Sequence, residues 1–225
     1  MVADPSEHDD LSPAERRRRR VRESIVEAAE AIFNEEGEAA ISMRRIAERI
    51  DYSPAALYKY FDSKEALFDE IREQFFERLL RRMQEVTASV TEGPQVNAAC
   101  LKAYVETGLE QPGHYKMAFT GWFSEEIDKQ DTYAFAASEH LERMIREGIE
   151  EGWFEPVDTH LAAHSVWAAA HGLAMLFVTV PDFPAGKPDC AHLTQDQQIE
   201  FHARMIGRGL GTSKLIAFID AQDEK

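Results

Sequence analysis

Apolar residues recur at helical spacing along most of this chain, and no segment alternates with the two-residue period of a β-strand. From Ile25 to Phe33 they fall at i, i+3, i+4, i+7 and i+8, which predicts a one-sided helix that Gly37 can end. Ser42 and Ser53 are suited to cap two short helices that follow. The pattern therefore predicts an all-α fold of about nine helices.

A long helix should begin after Ser63 and end at Gly93-Pro94. The later helices are bounded by segments that contain proline and glycine. They are expected at residues 95–110, 113–123, 124–151, 158–180 and 195–221. By contrast, residues 1–15 are polar and acidic and contain two prolines, so we predict a disordered tail there.

Residues 39–67 hold two short predicted helices, a tight turn at Asp51-Tyr52 and the start of a further helix. A helix-turn-helix that reads DNA needs this arrangement, since its second helix must be held rigidly and stand out to enter the major groove. Pro54 fits the first position of that second helix, because a missing N–H costs nothing there. We therefore predict that the chain binds double-stranded DNA.

The net charge of −16 is unusual for a protein that binds DNA, but the acidic residues are unevenly placed. Residues 16–82 carry 15 basic and 14 acidic side chains, whereas acidic residues are in clear excess in residues 83–225. Arginines fill positions 16–20, at the start of the predicted DNA-binding domain. Local charge on the reading face decides DNA binding more than total charge does.

The same region contains the segments Ile46-Ala47-Glu48, Ser53-Pro54-Ala55-Ala56-Leu57-Tyr58, Tyr60-Phe61 and Ser63-Lys64-Glu65-Ala66-Leu67. In these residues and their spacing the chain resembles the TetR family of transcription regulators. Farther along, Trp167 and His171-Gly172 are similar to the signature of one TetR-family C-terminal domain type. Residues 111–115 stand where that type has a His-Pro-containing segment, with Gln111 in place of its histidine.

The resemblance implies a homodimer in which each subunit has an N-terminal DNA-binding domain and a helical domain that binds an effector and dimerises. We place these two domains at residues 16–66 and 67–225. The expected function is that of a repressor that a small-molecule effector releases from an inverted-repeat operator. The alternatives are an activator of the same family, or a protein-interaction module of this fold that no longer binds DNA.

The candidate DNA contacts divide into phosphate contacts and base contacts. Side chains expected at phosphates are Ser42, Arg44, Tyr58, Lys59 and Lys64. Bases are expected to be read by Tyr52, Ser53, Pro54 and Ala55, with Arg45 able to supply a guanine contact. The arginine run has two interpretations, contact with phosphates or the minor groove and a solvated helix start. It comprises Arg16, Arg17, Arg18, Arg19 and Arg20, with Arg22 beyond.

Two mostly small stripes in the C-terminal helices would let another helix approach closely. This fits a four-helix bundle of two subunits, or packing within one chain. The stripes are Leu161, Ser165, Ala168, Gly172 and Leu176 on one helix, and Ala203, Gly207 and Gly211 on another.

An effector cavity is expected among aromatic and neighbouring side chains from several helices, because ligand sites are mostly apolar with a few polar groups. The candidates are Phe75, Tyr104, Tyr115, Phe119, Trp122, Phe135, Trp167, His171 and Met175. The effector they would suit is an apolar or aromatic small molecule.

Other functions find little support in the sequence. His160, His164 and His171 share part of a helix face, but no carboxylate or cysteine obviously completes a metal site, so no metal or cofactor is expected. The motifs GxSxG, P-loop and GxGxxG are absent, which argues against an enzyme. Cys100 and Cys190 are expected to be free thiols. We expect a cytoplasmic, nucleoid-associated protein with no membrane partner.

Overall fold

A computed structural model describes residues 12–90, 93–120 and 131–223, and this part of the chain forms ten α-helices and no β-strand. The all-α prediction is confirmed. The helices are α1 (Pro13–Glu36), α2 (Met43–Arg49), α3 (Pro54–Leu57), α4 (Lys64–Ser89), α5 (Gly93–Glu110), α6 (Pro112–Ala118), α7 (Tyr133–Glu150), α8 (Thr159–Thr179), α9 (Gln195–Leu210) and α10 (Ser213–Asp223).

The chain divides into two compact units. The first, which we call the N-terminal unit, comprises the described parts of Met1–Phe75 and Gly113–Ile127. Its core is built from the apolar stripes of α1 to α4, and Met117 of α6 packs into the same cluster. Ile25, Ile46 and Leu57 are completely buried there, as their spacing predicts.

Helix α1 begins at Pro13, whereas the sequence predicts a disordered tail as far as residue 15. Ser12 and Glu15 form a capping box, in which the Glu15 amide donates to Ser12 Oγ at 3.3 Å and the Ser12 amide donates to a Glu15 carboxylate oxygen at 2.7 Å. These hydrogen bonds lower the pKa of Glu15. Residues 1–11 of the predicted tail lie outside the described residues.

The second unit, the C-terminal unit, comprises the described parts of Phe76–Pro112 and Asp128–Lys225. Helix α5 packs against α7, α8 and α9, and α7 packs against α8. Thr132 caps α7, while residues 121–130, the end of the predicted 113–123 helix and the start of the predicted 124–151 helix, lie outside the described residues.

The single helix predicted at 195–221 is wrong, because Gly211 and Thr212 divide it into α9 and α10. Gly211 is extended and pairs with Phe154 in an isolated antiparallel bridge. The Glu155 amide donates to Leu210 O at 2.9 Å, and the Thr212 amide donates to Trp153 O at 3.0 Å. The apolar spacing continues through this break, so the pattern gave no sign of it.

Helix α8 has the length and composition to cross a membrane, with a mean hydropathy of 1.5 over an 18-residue window of which 28% is buried. One such helix is weak support for a membrane span, since core helices meet the same criteria. In this structure α8 packs against α5, α7 and α9 within the C-terminal unit. Its remaining face is exposed and includes Leu161 and Leu176.

Candidate nucleic-acid interface and ligand cavity

The turn between α2 and α3 is held by backbone geometry and by two serine caps. Ser42 Oγ accepts a hydrogen bond from the Arg45 amide at 3.2 Å, and Ser53 Oγ accepts one from the Ala56 amide at 3.3 Å. Asp51 is left-handed with φ of 59°, and the Tyr52 amide donates to Ala47 O at 2.9 Å. Helix α3 therefore starts directly after a fixed turn.

The start of α3 and the turn that follows it expose the residues predicted to touch DNA, while Leu57 and Phe61 are buried beneath them. Tyr58 is 51% exposed and Tyr52 is 38% exposed. In this segment the exposed members of the predicted set are Tyr52, Ser53, Pro54, Ala55, Tyr58 and Lys59. We call these six residues the reading face.

Arg45, predicted to reach a guanine, instead forms a forked ion pair with Glu36. One of its nitrogens lies 3.0 Å from Glu36 Oε2 and also donates to Ala40 O at 3.3 Å. The pairing lowers the pKa of Glu36 and raises the pKa of Arg45. Arg49 forms the same kind of fork with Glu35, at 2.8 and 2.5 Å. Both arginines therefore form ion pairs with glutamates at the end of α1.

The remaining predicted phosphate contacts differ in their exposure. Arg44 has an 80% exposed side chain and pairs only with its own helix, through Glu48 Oε1 at 2.8 Å, among the contacts described. Ser42 is half-buried. Lys64 is the first residue of α4, and its ammonium lies 5.6 Å from the centre of the Phe68 ring.

The arginine run lies on the helical start of α1. Arg16, Arg17, Arg18 and Arg19 are all exposed. A helix with side chains is about 10–12 Å across, wider than the minor groove at about 6 Å, so a helical run suits phosphates better than groove insertion.

Arg22, considered with this run from its sequence position, instead points inward. Its guanidinium pairs with Glu70, donates to Tyr60 O at 2.6 Å and lies 4.3 Å from the centre of the Phe61 ring. In the sequence, the only sign that Arg22 differs from the preceding arginines is its position beside the apolar stripe of α1.

The C-terminal unit contains a cavity of about 480 Å³ lined by residues of α4, α5, α7, α8, α9 and α10. Its walls are mostly apolar and include Met83, Leu101, Met144, Phe154 and Phe218. Glu200 and Arg204 of α9 supply the charged side chains of the lining. This volume falls within the range of small-molecule sites, about 300–1,000 Å³.

Two of the predicted ligand residues, Tyr104 and Trp167, line this cavity. The Trp167 indole N–H donates to the Tyr104 hydroxyl at 3.2 Å, and that hydroxyl lies 3.4 Å from His171 Nδ1. His171 is outside the lining but supports Tyr104 through this contact. Burial lowers the pKa of His171, so the imidazole is held in its neutral form at neutral pH.

The other predicted ligand residues do not line this cavity. Phe75, Tyr115 and Phe119 belong to the N-terminal unit, where their rings meet edge-on with centroids 5.0 to 5.8 Å apart. Phe135 is 38% exposed in the first turn of α7, and Met175 is half-buried on α8. Trp122 lies outside the described residues.

Cys100 lines the cavity beside Met144, and the two sulfur atoms are 3.8 Å apart. Burial raises the pKa of the Cys100 thiol to about 12, so it stays protonated at neutral pH. Cys100 and Cys190 are both free thiols, as predicted. Across the part of the chain that the structure describes, no group of three or more His, Cys, Asp or Glu residues could hold a metal ion.

The two stripes predicted for a dimer interface have different surroundings. All five α8 residues of the first stripe, Leu161, Ser165, Ala168, Gly172 and Leu176, are exposed. On α9, by contrast, a Cβ on Gly207 would lie 3.1 Å from Ile219 Cδ1, and one on Gly211 would lie 2.9 Å from Leu215 Cδ2. Ala203 and Gly207 also line the cavity.

Contacts with α10 of the same chain therefore account for Gly207, and for Gly211 together with the Gly207 carbonyl oxygen, which would lie 2.5 Å from a Cβ there. The large apolar side chains that α9 exposes are Phe201 at 58% and Met205 at 50%. Sequence reasoning missed both residues, because they are not part of the small-residue stripe of Ala203, Gly207 and Gly211.

Two family profiles match the two parts of the chain that carry these features. Residues 25–71 match bacterial regulatory proteins of the tetR family, and residues 97–195 match a tetracyclin repressor-like C-terminal domain. The chain belongs to the TetR family. Its membership makes it a transcription regulator with a helix-turn-helix, and the predicted resemblance is confirmed.

Several relatives in the TetR family are similar in sequence over part of this chain. YfiR of Bacillus subtilis, an uncharacterised HTH-type transcriptional regulator, is 28% identical over 162 residues, which cover 67% of this chain and 72% of YfiR. The HTH-type transcriptional repressor KstR2 of Rhodococcus jostii is 34% identical over 89 residues. That match covers 40% of this chain and 42% of KstR2.

Solved structures share the fold over most of the chain. The TetR-family regulator PfmR from Thermus thermophilus has a TM-score of 0.65 at 24% identity, covering 84% of this chain and 99% of PfmR. The ketosteroid transcriptional regulator KstR2 of Mycobacterium tuberculosis has a TM-score of 0.62 at 21% identity, covering 85% of this chain and 95% of that one. At these identities the likeness is one of fold.

Proposed function

We propose that this TetR-family chain is a homodimeric repressor that a small-molecule effector releases from an inverted-repeat operator. The reading face carries the proposal, because it exposes two tyrosines and a lysine around a capped helix start. A surface of this kind suits the major groove, and Arg44 and Lys64 flank it in sequence as phosphate contacts.

The dimer would form through α8 and α9. The exposed stripe of α8 places Leu161 and Leu176 at its ends with small residues between them, so that a second helix can approach closely. Phe201 and Met205 add apolar area from α9. A two-fold axis would bring the same surface of two chains together and bury it.

The effector would occupy the cavity of the C-terminal unit. Because most of its lining is apolar, the effector is expected to be an apolar or aromatic molecule. Tyr104 and Trp167 would provide a polar contact, and Arg204 would suit an acidic group on the molecule.

The route from cavity to reading face would run through two elements that continue from one unit into the other. Helix α4 is unbroken from Lys64 to Ser89 and so carries residues of both units. Gln111 alone separates α5, which lines the cavity, from α6, whose Met117 belongs to the N-terminal core. An effector that binds more tightly to the arrangement with low DNA affinity would favour that arrangement. DNA affinity would then fall by at most the ratio of the effector's affinities for the two arrangements.

We assign no catalytic step to the cavity. The nucleophile that lines it, Cys100, is held as a thiol by its raised pKa, and relatives of the chain are transcription regulators. The protein would act by binding alone, in the cytoplasm on chromosomal DNA.

The first test is selection of genomic DNA fragments by the purified protein at about 0.15 M salt, where non-specific attraction to phosphates is partly screened. We expect enrichment of an imperfect palindrome. Tyr58→Ala combined with Lys64→Ala should abolish the enrichment, while Lys187→Ala, at an exposed position of the C-terminal unit, should preserve it. A folded dimer that enriches no motif would contradict the proposal.

The dimer is tested with a matched pair of charge substitutions on α9. Phe201→Glu should convert the dimer to a monomer in analytical ultracentrifugation, because it places a charge on the apolar surface. Gln195→Glu adds the same charge to an exposed position of the same helix and should leave the dimer intact. Equal behaviour of the two variants would exclude this face as the interface.

A further inference from the structure

The reading face offers few polar groups for base recognition. Pro54 has no amide N–H, Ala55 presents a methyl group, and both are exposed at the first turn of α3. The hydroxyl oxygen of Ser53 accepts the Ala56 amide as the helix cap. The side chains nearest the helix start are thus small and mostly apolar.

Two of the arginines beside this face are paired with carboxylates of α1. The commonest specific contact with guanine is made to its O6 and N7 by an arginine or a lysine directed at the base. The fork of Arg45 is directed at Glu36, and the fork of Arg49 is directed at Glu35. Either arginine would have to leave a carboxylate partner to reach a base.

Thymine is the base that displays an apolar group in the major groove, its 5-methyl. We propose that the reading face selects its operator mainly through thymine methyl groups, with Pro54 and Ala55 as the residues that touch them. This inference rests on the proposed DNA-binding function. Tyr52 and Tyr58 flank the pair with exposed rings, which can pack on the same methyl groups while their hydroxyls reach phosphates.

The exposed cations near the reading face are suited to phosphate contacts. Arg44 lies on α2, and Lys59 lies two residues beyond the end of α3, so neither occupies the helix start. As phosphate contacts they would set register and affinity without favouring a base. Substitution of either should weaken binding by a similar factor for operator and unrelated DNA.

The test uses the selected operator duplex in fluorescence anisotropy at about 0.15 M salt. In one series thymidine is replaced by deoxyuridine at single positions, which removes only the 5-methyl group. In a second series guanine is replaced by 7-deazaguanine, which removes the N7 acceptor. We expect about fourfold weaker binding for each contacted methyl that is lost, and no change for the 7-deazaguanine duplexes.

A protein variant assigns the contact to its side chain. For each position we compare the affinity of the protein for the thymidine duplex with its affinity for the deoxyuridine duplex. Ala55→Gly should reduce this ratio to about one at one position of each half-site, and Ala55→Ser should preserve part of the preference for thymidine. Circular dichroism confirms that each variant is folded. If either variant is unfolded, Pro54→Ala replaces it in the same comparison.

The outcomes separate the two proposals. Absence of binding to any unmodified duplex would contradict the proposed DNA-binding function itself. Tight binding to the unmodified operator that deoxyuridine leaves unchanged would overturn the thymine inference alone. Loss of binding with 7-deazaguanine would likewise overturn it and show that an arginine or lysine reads guanine.

Discussion

Glu30 of α1 lies directly against Gly113 of α6, so that a Cβ built on the glycine would be 2.1 Å from the Glu30 Oε1 atom and 2.4 Å from its Cγ. The next residue, His114, places Nδ1 2.8 Å from Glu30 Oε2, a close approach that lacks hydrogen-bond alignment. Helix α6 can therefore pack against α1 because Gly113 has no side chain and because the Glu30 carboxylate lies beside His114.

Gly113→Ala should destabilise the protein by about 1–2 kcal/mol, because the new methyl overlaps the Glu30 side chain. Urea unfolding would measure the change. Gly209→Ala is the matched control, since its Cβ would meet nothing within 4 Å and a helical glycine gains stability on replacement.

The Glu30→Ala background isolates the cause. There Gly113→Ala should no longer destabilise, since the overlapping atoms are gone. If the penalty of Gly113→Ala persisted at full size in that background, the overlap with Glu30 would not be its source.

Arg22→Ala should destabilise the protein by about 2 kcal/mol, because the side chain joins Glu70, Tyr60 O and the Phe61 ring. Arg22→Lys should recover little of this loss, since an ammonium cannot form the two-pronged contact with Glu70. Thermal unfolding measures both variants.

Arg18→Ala, an exposed arginine on the same helix, provides the comparison. It should leave thermal unfolding unchanged and reduce the salt dependence of DNA binding. A stability loss equal to that of Arg22→Ala would show that the exposed run has a structural role of its own.

Asp51→Val should cost about 1–2 kcal/mol, because Asp51 has φ of 59° and a β-branched residue is disfavoured there. Asp51→Gly should be neutral or slightly stabilising, since glycine adopts this conformation without strain. Both substitutions remove the same exposed carboxylate, so charge cannot account for a difference in their unfolding midpoints. Equal midpoints would contradict the argument from backbone strain.

Stability should fall as pH decreases from about 7.5 to 5.5. Burial lowers the pKa of both His140 and His171 from the ordinary value of 6.5, with Arg143 adding to the effect at His140. Below pH 6.5 the unfolded chain therefore takes up protons that the folded chain does not, which favours unfolding.

Paired substitutions test that origin. His140→Gln with His171→Gln should flatten the dependence of the melting temperature on pH, whereas His192→Gln, at an exposed position, should leave its slope intact. A slope unchanged by the first pair would assign the effect to other groups.

Features that depend on neighbours in sequence could be predicted, since caps and turns are local. Ser42, Ser53 and Gly37 end or begin helices as their residue types indicate. The buried stripes of α1 to α4 also follow from spacing, because a one-sided helix must bury its apolar face.

Features that depend on distant partners could not be predicted. Nothing near Arg45 or Arg22 in sequence shows that Glu36 or Glu70 will hold them. A stripe of small residues indicates only that something approaches closely. For Gly207 that neighbour is Ile219 of α10, and for Gly211 it is the Gly207 carbonyl oxygen together with Leu215 of α10. The cavity walls likewise come from six helices, and no local sequence pattern shows how those helices are arranged.

The paired turns at Gly152–Phe154 and Leu210–Thr212 have a consequence for the choice of effector. Besides the two backbone bonds between them, Thr212 Oγ1 donates to Gly152 O at 2.8 Å, and the Lys214 ammonium lies 3.5 Å from the centre of the Trp153 ring. Phe154, Leu210 and Leu215 line the cavity and lie in or close to these two joined turns. A wall held by several hydrogen bonds yields little, so within a series of related molecules we expect affinity to fall once a molecule outgrows the space beside this wall.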